Sequence, residues 1–213
     1  MSRMSAWLGV VLVAASTTLL GTGPAEAAAR VTVTNGQSGA VADPTYATTL
    51  TLKGRGFQAI KGGYGGIYVL FGTRSGTWQP SKGGKAGTNY LYVPDSQTKD
   101  NQGFQKFVAF QGSDTASSAN GGTIAADGSW KTTIVVPGAT FQTVDSSGAA
   151  RTVDCRKVTC GIITIGAHGV INARNETFTP VTFKASSSSS SATATTSSSA
   201  TASATASGTA TAV

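Results

Sequence analysis

Histidine occurs once in this chain, at position 168, and cysteine twice, at positions 155 and 160. One imidazole and a closely spaced cysteine pair do not supply the three or four ligands of a metal centre. A lone histidine also leaves the many serines without a base held by an orienting partner, so no nucleophile–base constellation is assembled. Acidic residues are few, 9 Asp and Glu against 16 Lys and Arg. Asp43, Asp95, Asp100, Asp114, Asp127, Asp145, Asp154 and Glu176 mostly sit beside Gly, Ser or Pro and read as turn residues rather than paired catalytic carboxylates. The glycine-rich stretches Lys61-Gly62-Gly63 and Lys82-Gly83-Gly84-Lys85 lack the phosphate-loop pattern, and no dinucleotide fingerprint joins a strand to a helix. The residues present predict no enzyme and no bound cofactor or metal.

Long apolar runs are also scarce. Residues 1–27 carry Arg3 in a short polar head. An apolar stretch from Trp7 to Leu20 follows, interrupted by Ser16, Thr17 and Thr18, and the segment ends in Ala25-Glu26-Ala27. The stretch is too short and too broken to span a bilayer comfortably. The pattern predicts a secretory signal peptide cut near Ala28, and so a secreted, extracellular protein with no membrane span in the mature chain. At the other end, residues 185–213 are almost entirely Ser, Ala and Thr, without charge or aromatics. Such a segment buries too little apolar surface to offset the entropy of ordering. It predicts a disordered tail whose hydroxyls are open to glycosylation.

Residues 30–184 remain as one domain with a core of its own. Helical spacing of apolar residues is rare here, whereas alternation recurs. Val31 and Val33 alternate with threonines, Leu50 and Leu52 with Thr49, Thr51 and Lys53, and Ile67, Val69 and Phe71 with Tyr68 and Leu70. Trp130, Thr132, Ile134 and Val136 alternate with Lys131, Thr133 and Val135. Turn pairs such as Asn35-Gly36, Asp127-Gly128 and Pro137-Gly138 separate the runs. Half-buried strands at this spacing predict an all-β, immunoglobulin-like sandwich of antiparallel sheets.

Thr152 to Gly169 contains both cysteines and the histidine. It reads as two strands joined by a short turn, with a Cys155–Cys160 disulfide across its base, which export permits. So small a loop stabilises by about 2 kcal/mol through loop closure. One region breaks the strand rhythm. Residues 72–122 place Trp78, Tyr90, Tyr92, Phe104, Phe107 and Phe110 among Gly, Ser and Lys, with strands plausible around Leu91 and over Phe107–Phe110 and a long connection elsewhere. Long ordered connections on a rigid scaffold often carry function. Trp78, Tyr90, Tyr92 and Phe107, with His168, are the candidate ligand-binding residues. The alternative is that these aromatics extend the core or pin the connection.

The formal net charge is +7. Lys53, Arg55 and Lys61 cluster near one turn, and Arg151, Arg156 and Lys157 at the cysteine corner. Outside the cell a basic domain is drawn to anionic polymers such as wall teichoic acids or acidic glycans. Export removes nucleic acid as a partner. Asn175-Glu176-Thr177 matches a glycosylation acceptor.

Val31-Thr32-Val33, Leu52-Lys53-Gly54-Arg55-Gly56-Phe57 and Asp154-Cys155…Cys160-Gly161 resemble stretches of the neocarzinostatin family of secreted actinobacterial apoproteins. The stretch from Cys160 to Phe183 also resembles a wider set of exported actinobacterial proteins, sometimes found beside haem-uptake surface proteins. The resemblance implies an immunoglobulin-like sandwich and a late Asp-Cys…Cys-Gly hairpin. That family has a second disulfide near the third strand. This chain has Phe71 at the place of such a cysteine, so the resemblance carries the fold over better than the ligand. Three functions follow as expectations: a non-catalytic cell-surface or extracellular binding module attached to anionic surface polymers such as those of the cell wall; a carrier of haem or another apolar ligand; and a structural surface protein whose tail is a stalk.

Overall fold

The structure, a computed structural model, describes residues 28–36 and 39–185. The leader read over residues 1–27 and the tail beyond Ala185 lie outside the described residues.

Two sheets face each other. The smaller is formed by β1 (Arg30–Thr34), β3 (Thr48–Arg55) and β8 (Trp130–Val136), in the order β1-β3-β8 and antiparallel throughout. β2 (Val41–Ala42) lies between β1 and β3 in the chain. The larger sheet is centred on β4 (Gly66–Arg74). On one side of β4 lies β11 (Cys160–Gly166), followed by β12 (Thr177–Pro180). On the other side β6 (Gln105–Phe110) pairs residues 66–70 and β5 (Tyr90–Tyr92) pairs residues 72–74, so these two share one edge of β4 end to end. β7 (Thr123–Ile124) extends the sheet beyond β6. β9 (Thr140–Val144) and β10 (Ala150–Asp154) form a separate antiparallel ribbon, and β13 (Thr182–Phe183) pairs β2. The architecture is an immunoglobulin-like antiparallel sandwich, with short parallel pairings at β6–β7 and β2–β13.

The alternation read from the sequence decides which side chains face inward. Val31, Val33, Leu50, Leu52 and Ile134 of the small sheet meet Ile67, Val69, Phe71, Val108 and Ile162 of the large one in a single core. Leu50, Leu52 and Phe71 are fully buried, and each such side chain contributes about 1.5–3 kcal/mol through its removal from water. Gly54 lies under the Trp130 indole, where a β-carbon would collide with the ring. Trp130 in turn packs edge-on against Phe57, centroids 5.2 Å apart.

Two expectations change. Cys155 and Cys160 are bonded, but the strands on either side are not partners. Among the described residues β10 pairs only β9, and β11 pairs β4 and β12. The stretch is therefore a corner between ribbon and sheet rather than a hairpin, and the disulfide fastens one to the other. The Cys155 N–H donates to the Ala139 carbonyl on the ribbon side at 2.8 Å, while Cys160 opposes Thr73 of β4. Residues 72–122 are likewise less of a loop than expected. They supply β5 and β6, the two strands expected around Leu91 and over Phe107–Phe110, and these join β4 directly on one flank of the large sheet, with β7 following just after the segment.

Candidate functional site

A sheet whose both faces are apolar must cover both. The inner face of the large sheet meets the small sheet. Its outer face presents Tyr68 and Leu70 from β4, Ile163 and Ile165 from β11, Phe178 from β12 and Phe107 from β6, placed side by side by the register Ile163↔Leu70, Ile165↔Tyr68, Ile163↔Phe178 and Tyr68↔Phe107. The connection between β4 and β5 folds over part of this face. Trp78 sits on it and, with Tyr90, Leu70 and Ile163, closes a second small core. Leu70 and Ile163 are buried although they point away from the main core.

The covering segment is pinned at two places. Ser81, in a short 3-10 turn (Pro80–Lys82), donates its N–H and its hydroxyl to the two oxygens of Glu176, at 2.8 and 2.5 Å. The Arg74 guanidinium lies 4.6 Å from the centre of the Phe178 ring, an electrostatic attraction to the ring's negative face. Glu176 is 7% exposed and serves as a buried clamp. Asn175 is fully buried and its side-chain oxygen accepts from the Gln58 N–H at 2.9 Å, so the Asn175-Glu176-Thr177 motif is not an acceptor in the folded protein.

Where the cover ends, the outer face opens into a cleft. One lobe of about 230 Å³ is lined by Tyr68, Tyr90, Tyr92, Ile165 and Ile171. A neighbouring lobe of about 260 Å³ shares Tyr92, Gln97 and Gln105 with it and is closed by Thr143 and Asp145 of the ribbon. Tyr90 and Tyr92 are stacked, centroids 6.3 Å apart. Burial pushes the Tyr68 and Tyr90 hydroxyls above the ordinary phenol value, so both stay protonated and able to donate at neutral pH. Asp95 accepts backbone N–H groups of Ser96, Gln102, Phe104 and Gln105 and so shapes the 94–105 connection beside the cleft.

Of the five candidate ligand residues, Tyr90 and Tyr92 line these lobes. Phe107 lines a smaller recess of about 20 Å³ beside Tyr68. Trp78 belongs to the cover. His168 follows β11 in a left-handed conformation, φ 54°. Its ring is held among Phe107, Tyr68 and Tyr64, at centroid distances of 4.7, 5.5 and 5.7 Å, with Nδ1 3.3 Å from the Tyr68 hydroxyl. Tyr68, Ile165 and Ile171 were missed because each sits in a run that reads as plain strand or loop; outward-facing apolar residues on an already apolar strand were the available signal.

The basic residues divide. Arg151 pairs with Asp145 at 3.5 Å at the turn end of the ribbon, away from the cysteine corner, and Arg156 pairs with Asp154 at 2.8 Å at the opposite end, in that corner. Lys157 follows in the same corner, its N–H donating to the Asp154 carbonyl. Lys61 lies in a turn bonded to the end of β6 through Gly62 and Gln111. Lys53 and Arg55 face outward from the small sheet, where the register sets Lys53 opposite Lys131 and Arg55 opposite Arg30. Among the described residues no group of three or more His, Cys, Asp or Glu is placed to hold a metal, and no helix is long and apolar enough to cross a membrane.

No protein-family model and no curated protein matches the chain. Among solved structures it is similar to macromomycin, at 18% identity over 74% of this chain and 100% of that one, with a TM-score of 0.41. No family membership follows from a likeness of that size.

Proposed function

We propose that this protein is a non-catalytic extracellular binding module whose cleft on the outer face of the large sheet holds a small, flat, largely apolar molecule. The observation that carries the reading is the second apolar face of β4 and β11, covered by Trp78 at one end and open between Tyr68, Tyr92 and Ile165 at the other. Binding sites of this kind combine aromatic walls with a few polar groups that fix orientation. Here the tyrosine hydroxyls and the Gln97 and Gln105 amides are those groups. His168 does not line either lobe, which favours an organic ligand of one or two rings over haem held by an imidazole. Titration with flat fluorescent apolar probes tests the reading. Saturable binding that resists salt and is lost in Tyr92→Ala and Ile165→Ser is expected; absence of saturable binding to the wild-type protein sinks it.

A second reading, attachment to anionic polymers of the cell surface or wall, is favoured by one separate observation. Two successive cross-strand pairs on the small sheet, Arg30–Arg55 and Lys53–Lys131, set like charges directly opposite. Such pairs are destabilising by tenths of a kcal/mol or more, and an anion laid across them relieves the repulsion. Retention on purified cell walls that fades across a salt series supports this reading, because exposed charges are screened over about 10 Å at 0.1 M salt. Retention unaffected by salt counts against it.

A further inference from the structure

We propose that the small sheet ends in a built site for one tetrahedral oxyanion, a phosphate or sulfate group, held by Arg30, Arg55 and Arg174. The proposal rests on the anionic-polymer reading and locates its point of grip.

The three arginines line one depression of about 580 Å³ with Asp127, Gln58 and Gly128. They come from three parts of the chain. Arg30 opens β1, and Arg55 closes β3 directly opposite it. Arg174 belongs to the 3-10 turn Ala173–Asn175. The floor is the segment just after β3, and both walls are hydrogen-bonded to it. On one side the Gln58 N–H donates to Asn175 Oδ1 and the Asn172 amide to Gln58 Oε1, which brings the Arg174 turn to the edge of the depression. On the other side the Phe57 N–H donates to the Gly128 carbonyl at 3.2 Å. Gly128 lies so close to the Phe57 backbone that a β-carbon has no room. The arginines are therefore carried on fastened elements rather than on a free loop, and preorganised groups lose less freedom on binding.

The charge balance points to the ligand. Among the described residues Asp127 is the one carboxylate lining the depression. Hydrogen bonds from Ser129, with Arg55 as a lesser cause, hold it below the ordinary carboxylate range, so it is charged at neutral pH. Arg30 and Arg55 against Asp127 leave a net positive charge beside the Arg174 turn, which suits an oxyanion. Guanidinium forks bind phosphate oxygens in pairs, a geometry that lysine cannot reproduce. Among the described residues neither Arg30 nor Arg55 takes part in an ion pair. The Lys53–Lys131 pair lies one row further along the same face and extends the positive field away from the site. A phosphate carried on a polymer can thus be gripped by the arginines while the rest of the polymer crosses the lysines. Free inorganic phosphate offers the same group without the polymer.

The experiment uses the full chain with three probes: inorganic phosphate, long-chain polyphosphate and polyglutamate. The variants are Arg55→Gln with Arg174→Gln, and separately Lys53→Gln with Lys131→Gln, each checked for an unchanged melting temperature. The site predicts that inorganic phosphate shifts the amide resonances of Arg55, Gly56 and Asp127 and competes with polyphosphate. It also predicts that the arginine variant weakens phosphate binding about tenfold or more, as expected for losing hydrogen bonds to a charged group, while the lysine variant weakens polyphosphate alone. If polyphosphate binds but the lysine variant loses more than the arginine variant and free phosphate does not compete, the site is overturned and the polymer reading stands. If polyglutamate binds as well as polyphosphate, the preference for a tetrahedral oxyanion is overturned. If no probe binds the wild-type protein, both fall.

Discussion

Ser81 and Glu176 join the cover of the cleft to the edge of the large sheet. The Ser81 N–H and hydroxyl bond the two carboxylate oxygens of a side chain only 7% exposed. Through this contact the connection after β4 lies flat on Leu70 and Ile163 instead of standing off in solvent. Hydrogen bonds to a charged acceptor contribute about 1.5–3 kcal/mol each when a partner is lost. Glu176→Ala is therefore expected to lower stability by about 2 kcal/mol or more. Amide hydrogen exchange should rise over residues 76–90 before it rises in β3 or β8. Uniform loss of protection across both sheets would show that the contact is not local to the cover.

The disulfide is expected to act between sheets. Replacing Cys155 and Cys160 by serine should lower stability by about 2 kcal/mol, the loop-closure contribution of so short a loop. Added exchange should concentrate in β9 and β10, which have no other strand partner among the described residues. Intact mass before and after reduction with alkylation checks that both thiols are bonded in the wild-type protein.

Gly54→Ala is expected to be among the costliest single-methyl changes in the chain. The added carbon meets the Trp130 indole, which is itself held against Phe57. Overpacking of this kind costs about 1–3 kcal/mol. Denaturant titration measures it, and a cost below experimental error would mean that Trp130 has room to move. Gly148→Ala is not a substitute control, since Gly148 adopts φ 82° and is strained by any side chain.

Acid should weaken the turns first. Asp127, Asp145 and Asp154 are held below their ordinary value of 3.8, chiefly by side-chain hydrogen bonds from Ser129, Ser147 and Arg156 respectively. A carboxylate lowered in the folded state contributes stability that is complete above its unfolded value and is lost as pH falls through the folded one. Stability should therefore hold steady down to about pH 5 and decline below it, with the decline continuing beneath 3.8. A variant carrying Asp145→Asn should show a shallower decline. An unchanged slope would remove Asp145 from the acid response.

The last strands divide the essential from the dispensable. Deleting residues 178–183 removes Val181 and Phe183 from the main core and Phe178 from the second and is expected to abolish folding. Deleting residues 186–213, a stretch of Ser, Ala and Thr with nothing large to bury, should leave the melting temperature within error. Thermal unfolding of the two truncations checks both outcomes.

Alternation is a local property of an extended backbone, because successive side chains point to opposite faces. For that reason the strands around Val31, Leu50, Val69 and Ile134, the faces they bury and the all-β class could all be read from the sequence alone. So could the bonding of Cys155 with Cys160, five residues apart. Pairing between strands is a different matter, since it joins residues distant in the chain through one register out of many. Nothing near Arg30 indicates that it faces Arg55, nothing near Ser81 that it meets Glu176, and nothing near Cys155 that the strands on either side enter different sheets. The aromatic residues of 72–122 were visible, but whether they became wall, cover or core depended on β5 and β6 sharing one edge of β4. The sequence by itself thus determined which surfaces are apolar or basic. Only the tertiary structure decided which of them meet, because closing long loops around a common core is what sets those neighbours.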